Sequence, residues 1–116
     1  MNTRAIGTLA EQIAKDFLIE KGYTIVTANF YARQGEIDLI AKTDEFLVFI
    51  EVKYRKDISF ATGIENITPT KIRRILKTAN YYLYRHHLYD HNIRFDVIEI
   101  HGEDFAIHHI ENAFTA

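Results

Sequence analysis

No cysteine occurs in the 116 residues. Disulfide frameworks and cysteine-based zinc sites are thereby excluded, and a reducing compartment is the default. No apolar run approaches the roughly 18 residues that a membrane span requires. The N-terminal stretch also lacks the pattern of a secretion signal, so a cytoplasmic protein with no membrane partner is expected. There are no repeats, low-complexity segments or internal linkers, and residues 1–116 are expected to form one domain with one core. The six histidines show no metal-ligand spacing. Residues 95–116 contain five acids and no Lys or Arg. All 14 Lys and Arg therefore lie in residues 1–94, against 11 acids, a balance of +3 within a chain whose net charge is −2. That asymmetry permits a polyanionic partner without requiring one.

The informative stretch runs from Gly35 to Arg55, GEIDLIAKTDEFLVFIEVKYR. Two runs alternate at period two around Thr43-Asp44-Glu45, which predicts a hairpin of strands Glu36–Lys42 and Phe46–Tyr54. Counting outward from a Thr43–Phe46 pair sets Asp38 opposite Glu51. Glu51, Lys53 and Arg55 share one face, because residues i, i+2 and i+4 of a strand point the same way. Carboxylates held about 5 Å apart repel unless something offsets them. A divalent cation would, since Mg²⁺ is held by one or two carboxylates with waters and phosphate oxygens. A structural ion network, with Lys53 and Arg55 neutralising the pair, is the other reading that the geometry allows.

Around this hairpin the chain reads as α-β-β-β-α-β-(β). Residues 4–21 carry an apolar stripe at helical spacing, with Thr3 as N-cap and Gly22 as the stop. Glu11 lies at the border of the stripe, either solvated or reaching into a site. Tyr23–Phe30 reads as a strand. Residues 31–34 read as a bridge to the hairpin, and Lys56–Ile67 as a loop. A second helix starts at Thr68 (N-cap) and Pro69, with Lys71, Arg73, Arg74, Lys77 and Arg85 around its buried stripe. No acid falls between Glu65 and Asp90, and Tyr81, Tyr82 and Tyr84 are interleaved with the cations. Such a helix is either a solvated face or a surface for a phosphate backbone. Ile93–His101 and Phe105–Ile110 complete the strands, and Asp96 is expected to pair with a nearby Arg or Lys. The fold class is α/β, a mixed central sheet flanked by helices. The helix between the third and fourth strands allows a parallel pair there.

This order, with an acid on the second strand and Glu-x-Lys on the third, resembles the restriction-endonuclease-like PD-(D/E)xK superfamily. GEIDLI, FIEVKYR, ITPTKIRRI and RFDVI more closely resemble the bacterial YraN family of predicted endonucleases, similar in arrangement to archaeal Holliday-junction resolvases. The resemblance covers about Gly7 to Ile100 and implies an αβββαβ nuclease core. It implies Asp38 and Glu51 as Mg²⁺ ligands (Mn²⁺ substituting), Glu11 as an outer carboxylate and Lys53 as the motif lysine. Arg33, Arg55, Lys71 and Arg74 are the implied contacts to nucleic acid. Ile37 and Tyr31 depart from the pattern, where Pro and a second Arg are expected. The implied function is a metal-dependent nuclease hydrolysing phosphodiester bonds in DNA, branched or structured DNA among its substrates, with RNA left open. Junction cutting would need two sites and hence a homodimer. The alternative is a non-catalytic module that binds nucleic acid or a protein partner while keeping the fold.

Overall fold

A computed structural model describes residues 3–56 and 67–115. The elements are α1 (Thr3–Glu20), β1 (Thr24–Ala32), β2 (Gly35–Lys42), β3 (Leu47–Arg55), α2 (Pro69–Arg85), β4 (Ile93–His101) and β5 (Ala106–Phe114). The five strands form one sheet in sequence order, parallel only between β3 and β4. The expected α/β architecture is therefore present, with α2 inside the crossover that joins the parallel pair. Among the described residues, no helix is long and apolar enough to cross a membrane.

The helix ends follow local chemistry. Thr3 is already helical, so it is not the expected cap. At the other end Gly22 takes φ 102°, its N–H donates to Ile19 O, and the Tyr23 N–H donates to Leu18 O. This αL glycine satisfies the last carbonyls of α1 and turns Tyr23 into the core beside Leu18. α2 starts where expected: the Thr68 hydroxyl accepts the Lys71 N–H at 3.1 Å and Pro69 opens the helix.

Each helix covers one face of the sheet. Ala10, Ala14 and Leu18 of α1 pack with Leu39, Ala41, Val48, Ile50, Ile98 and Ile100. Ile75, Ala79, Tyr82 and Leu83 of α2 pack with Ile37, Ile40, Leu47, Phe49 and Phe95. Burying each of the Val, Leu, Ile and Phe side chains contributes about 1.5–3 kcal/mol.

The alternation changes phase beside Asp38. Ala28 packs on the α1 side and Phe30 on the α2 side, with Asn29 between them in left-handed backbone (φ 53°). Across the ladder, Leu39 faces α1 and Ile37 faces α2, with Asp38 between. Both strands switch faces at the level of Asp38.

Three boundaries differ from expectation. β1 runs on to Ala32, pairing Tyr31 with Glu36 and Ala32 with Gly35, so the bridge narrows to an Arg33-Gln34 turn. The β2–β3 turn also lengthens: Phe46 closes it and β3 begins at Leu47. β5 extends to Phe114 because Asn112, at φ 52°, passes its N–H to Asp96 and Phe114 returns to stack on Phe95. Of the expected loop, residues 57–66 lie outside the described residues.

Candidate active site

The hairpin register sets the site. Thr43 N–H donates to Phe46 O, and the β2–β3 ladder runs from Lys42↔Leu47 to Leu39↔Ile50. The next step outward would be Asp38 with Glu51, as counted from the turn. There the ladder stops. β2 continues along β1 as far as Gly35↔Ala32, and β3 continues along β4 as far as Arg55↔His101. Asp38 stands at the fork, where its Oδ2 accepts the Val52 N–H at 2.9 Å. A side chain has replaced the strand carbonyl that would otherwise pair there.

Two clefts adjoin near this fork, at Tyr31 and Glu36. One, of about 550 Å³, lies on the α1 side and is lined by Glu11, Asn29, Asp38, Val52 and Tyr54 among others. The other, of about 570 Å³, lies on the α2 side and includes Thr68, Lys71, Arg74 and Gly35. Tyr31 and Glu36 line both. Glu51, only 8% exposed, pairs with Lys71 Nζ at 3.2 Å, so α2 reaches over the sheet to it.

Glu51 perturbs Asp38. Burial raises the Asp38 pKa first, and the charge of Glu51 and a hydrogen bond with it add to this. The Val52 N–H and Lys71 oppose the rise, and the result is about 7. The neighbouring carboxylate of Glu51 thus disfavours the charged form of Asp38, as expected of two carboxylates set close together. Lys53, two residues beyond Glu51, has its pKa lowered by burial and then by the charge of Lys71, against the pull of Glu51 and Asp38.

The other expected residues are distributed around this pair. Glu11 faces the same cleft as Asp38, but its Oε1 accepts from Asn29 Nδ2 at 2.7 Å. Among the described residues no three His, Cys, Asp or Glu side chains are gathered as a metal cluster. The donor set at the fork is thus the two carboxylates Asp38 and Glu51. Lys71 and Arg74 line the α2-side cleft, while Arg33 is exposed on the β1–β2 turn. Arg55 lies toward Glu99 at 3.9 Å. Glu51 forms its ion pair with Lys71 on α2, while Lys53 of its own strand, one of the two cations of the ion-network reading, also feels its charge.

Several relevant groups were not anticipated. Glu99 on β4 is fully buried, is the register partner of Lys53, and has His101 Nε2 at 2.5 Å. The spacing of Glu99 and His101 on one strand face was visible; their position beside Lys53 required the parallel register. Asn29 gave no signal beyond its place in a β-rich run. Away from the fork, the buried Asp96 accepts two bonds from Arg94 (2.8 and 2.9 Å), one from the Asn112 N–H and one at 2.7 Å from His109. Lys21 donates to His109 Nδ1 at 3.0 Å, so the ring donates to Asp96 through Nε2. The expected cation partner is Arg94; the histidine partner was missed.

Comparison with known proteins places the chain. A family model described as "Uncharacterised protein family UPF0102" matches residues 10–100. The chain belongs to the UPF0102 family. It is 43% identical over 115 residues to a UPF0102 protein of Clostridium novyi, covering 96% of each chain. A UPF0102 protein of Clostridioides difficile is 39% identical over 114 residues, covering 98% of this chain and 100% of its own. One from Legionella pneumophila is 41% identical over 115 residues, with 98% of each covered. The matched UPF0102 segment contains α1 from Ala10, the fork, α2 and β4 up to Ile100.

Proposed function

We propose that this UPF0102 chain is a metal-dependent nuclease that hydrolyses phosphodiester bonds in DNA. The observation that carries the reading is the closeness of Asp38, which lines the α1-side cleft, to Glu51, which is paired with Lys71 of the α2-side cleft. A buried Glu51 beside a half-buried Asp38, each disfavouring a second negative charge, fits a divalent cation. Asp38 and Glu51 would hold Mg²⁺ or Mn²⁺, leaving its other positions to water and phosphate oxygens. Such an ion polarises the phosphoryl group and acidifies a bound water.

The chain's own residues supply the remaining roles. Lys53, whose ammonium is disfavoured by burial and by Lys71, is suited to take the proton of the attacking water. The water oxygen then bonds to phosphorus as the bond to the leaving oxygen breaks. Lys71 and Arg74 in the α2-side cleft suit the phosphates. Glu11 orients Asn29 at the wall behind Asp38. Branched or structured DNA is the substrate class we favour, and paired incisions in a junction would call for a homodimer.

The test is incubation of the purified chain with linear, flapped and four-way DNA in Mg²⁺ or Mn²⁺. Cleavage that disappears in Asp38→Ala and Glu51→Ala is the expected result. Cleavage unchanged in both variants would overturn the reading. Salt-dependent binding without cleavage under any metal would identify a binding module instead.

A further inference from the structure

We infer that the exposed strip of α2 is a track for a single-stranded polynucleotide, leading into the cleft beside Glu51. Lys71, Arg74, Lys77, Tyr81 and Tyr84 recur at spacings of three or four residues and so form one stripe along the helix. The stripe has a chemical gradient. Its first half is cationic and ends at Lys71, bound to Glu51. Its second half is aromatic. There Lys77, Tyr81, Tyr84 and Tyr89, with Gln34 and Asn80, line a separate cleft of about 360 Å³. Tyr84 and Tyr89 are 65% and 60% exposed, with ring centroids 6.3 Å apart at an angle of 61°. At the other end, in the α2-side cleft, Tyr31 is 68% exposed.

The β1–β2 turn joins the two clefts. A Cβ on Gly35 would lie 3.2 Å from Thr78 Oγ1 and 3.6 Å from Arg74 Cβ, so the turn sits directly on α2. Gly35 lines the cationic cleft and Gln34 the aromatic one. A ligand following the stripe runs alongside this turn from rings to cations.

The combination selects its occupant. α2 carries five cations and no acid, which suits a polyanion. Exposed tyrosine rings offer flat faces to unpaired bases, whereas a duplex keeps its base faces covered. From Lys71 to Tyr84 the helix rises about 20 Å, enough for about six nucleotides at stacked spacing. The polarity of the stripe sets phosphates near the carboxylate pair and bases on the tyrosines. Only the link from binding to cutting rests on the proposed nuclease activity.

The test uses the full chain carrying Asp38→Asn, so that binding is read without cleavage. The probes are oligothymidylate and oligouridylate of about twelve nucleotides, and a DNA duplex of equal length. The chain has seven tyrosines and no tryptophan, so its intrinsic emission is tyrosine emission and reports stacking directly. Either single strand is expected to bind at least about tenfold tighter than the duplex and to quench that emission. Tyr84→Ala and Tyr89→Ala should each weaken binding about tenfold, with Tyr84→Phe retaining it. Circular dichroism checks that the variants are folded. A duplex bound as tightly as single strands, or full affinity in both folded alanine variants, overturns the inference. Wild-type cleavage of DNA alongside either result leaves the nuclease reading standing. Single-strand binding by a chain that never cuts supports the track and removes the nuclease.

Discussion

The carboxylate of Asp38 accepts the backbone N–H of Val52 across the fork between β2 and β3, at 2.9 Å. The same side chain is pressed against Glu51 and retains its proton to about pH 7. It therefore ties two strands together and carries an electrostatic penalty. Folded, it holds a proton up to about 7; unfolded, only to the ordinary 3.8. Between those values the folded state binds more protons, so this group's contribution to stability falls as pH rises from about 4 to about 7. Asp38→Asn keeps a side-chain acceptor for Val52 and removes the charge. In metal-free buffer it should be more stable than wild type by a few kcal/mol at about pH 8, and by much less at about pH 5. Urea denaturation at the two pH values measures this.

Mg²⁺ should act on the same pair. At about pH 8, where Asp38 is charged, it is expected to raise the Tm of wild type by offsetting the charge of the two carboxylates, with a gain of about 1.4 kcal/mol at an ion concentration ten times its Kd. Asp38→Asn should respond far less. Thermal melts over an Mg²⁺ series, with Ca²⁺ alongside, distinguish binding at the pair from a general salt effect.

Lys71, 3.2 Å from the buried Glu51, is predicted to matter twice. Lys71→Met keeps the aliphatic stem and removes the charge. Its side chain is 42% exposed, so the loss of stability should be modest, about 1–2 kcal/mol. Cleavage should fall by about 10²-fold, because a phosphate contact is lost. Lys53→Met should change stability less and lower cleavage by about 10²-fold or more, because the proton acceptor for the attacking water is lost. Equal destabilisation by the two variants would show that Glu51 is neutralised from both sides.

Asp96 should dominate acid sensitivity away from the site. Burial alone would raise its pKa, but bonds from His109, Arg94 and the Asn112 N–H outweigh it and hold the pKa below 3.8. The stabilisation is present above about pH 4 and is lost as pH falls through the lower folded value. Asp96→Asn leaves Arg94 with an uncharged partner and should cost about 3 kcal/mol or more at neutral pH. Its stability should also lose the wild type's steep decline in acid. Denaturation at about pH 7 and about pH 3 tests both points.

Gly35 carries φ 152° and sits against Thr78 and Arg74. Gly35→Ala should cost about 1–3 kcal/mol and lift the β1–β2 turn from α2. Calorimetric unfolding measures the first effect, and loss of nucleic-acid affinity reports the second.

Local signals made much of this legible in advance. Thr68-Pro69 marked the start of α2 because a cap and its first residue are neighbours in sequence. The Asp38–Glu51 opposition followed from a short turn, since Thr43 and Phe46 fix the count. Non-local choices were hidden. Lys53 and Arg55 looked like counter-ions because they share Glu51's face, but positions two apart on a strand lie about 6.6 Å apart. Lys71 arrives from above on a packed helix and comes nearer. The switch of faces at Asn29 was invisible, because a left-handed asparagine leaves no periodic trace. His109 meets Asp96 only after β4 and β5 pair around an irregularity.

The fork has a mechanical meaning. Asp38 rides on the β1–β2 hairpin, whose turn rests on α2, and Glu51 on a strand tied to β4. The two tips share a root at Leu39 and Ile50. The separation of the carboxylates is therefore set by how far the tips splay, as in the jaws of a caliper. Whatever lodges between the jaws also sets the mouth of both clefts, so occupancy at the pair is transmitted to the width available for a strand.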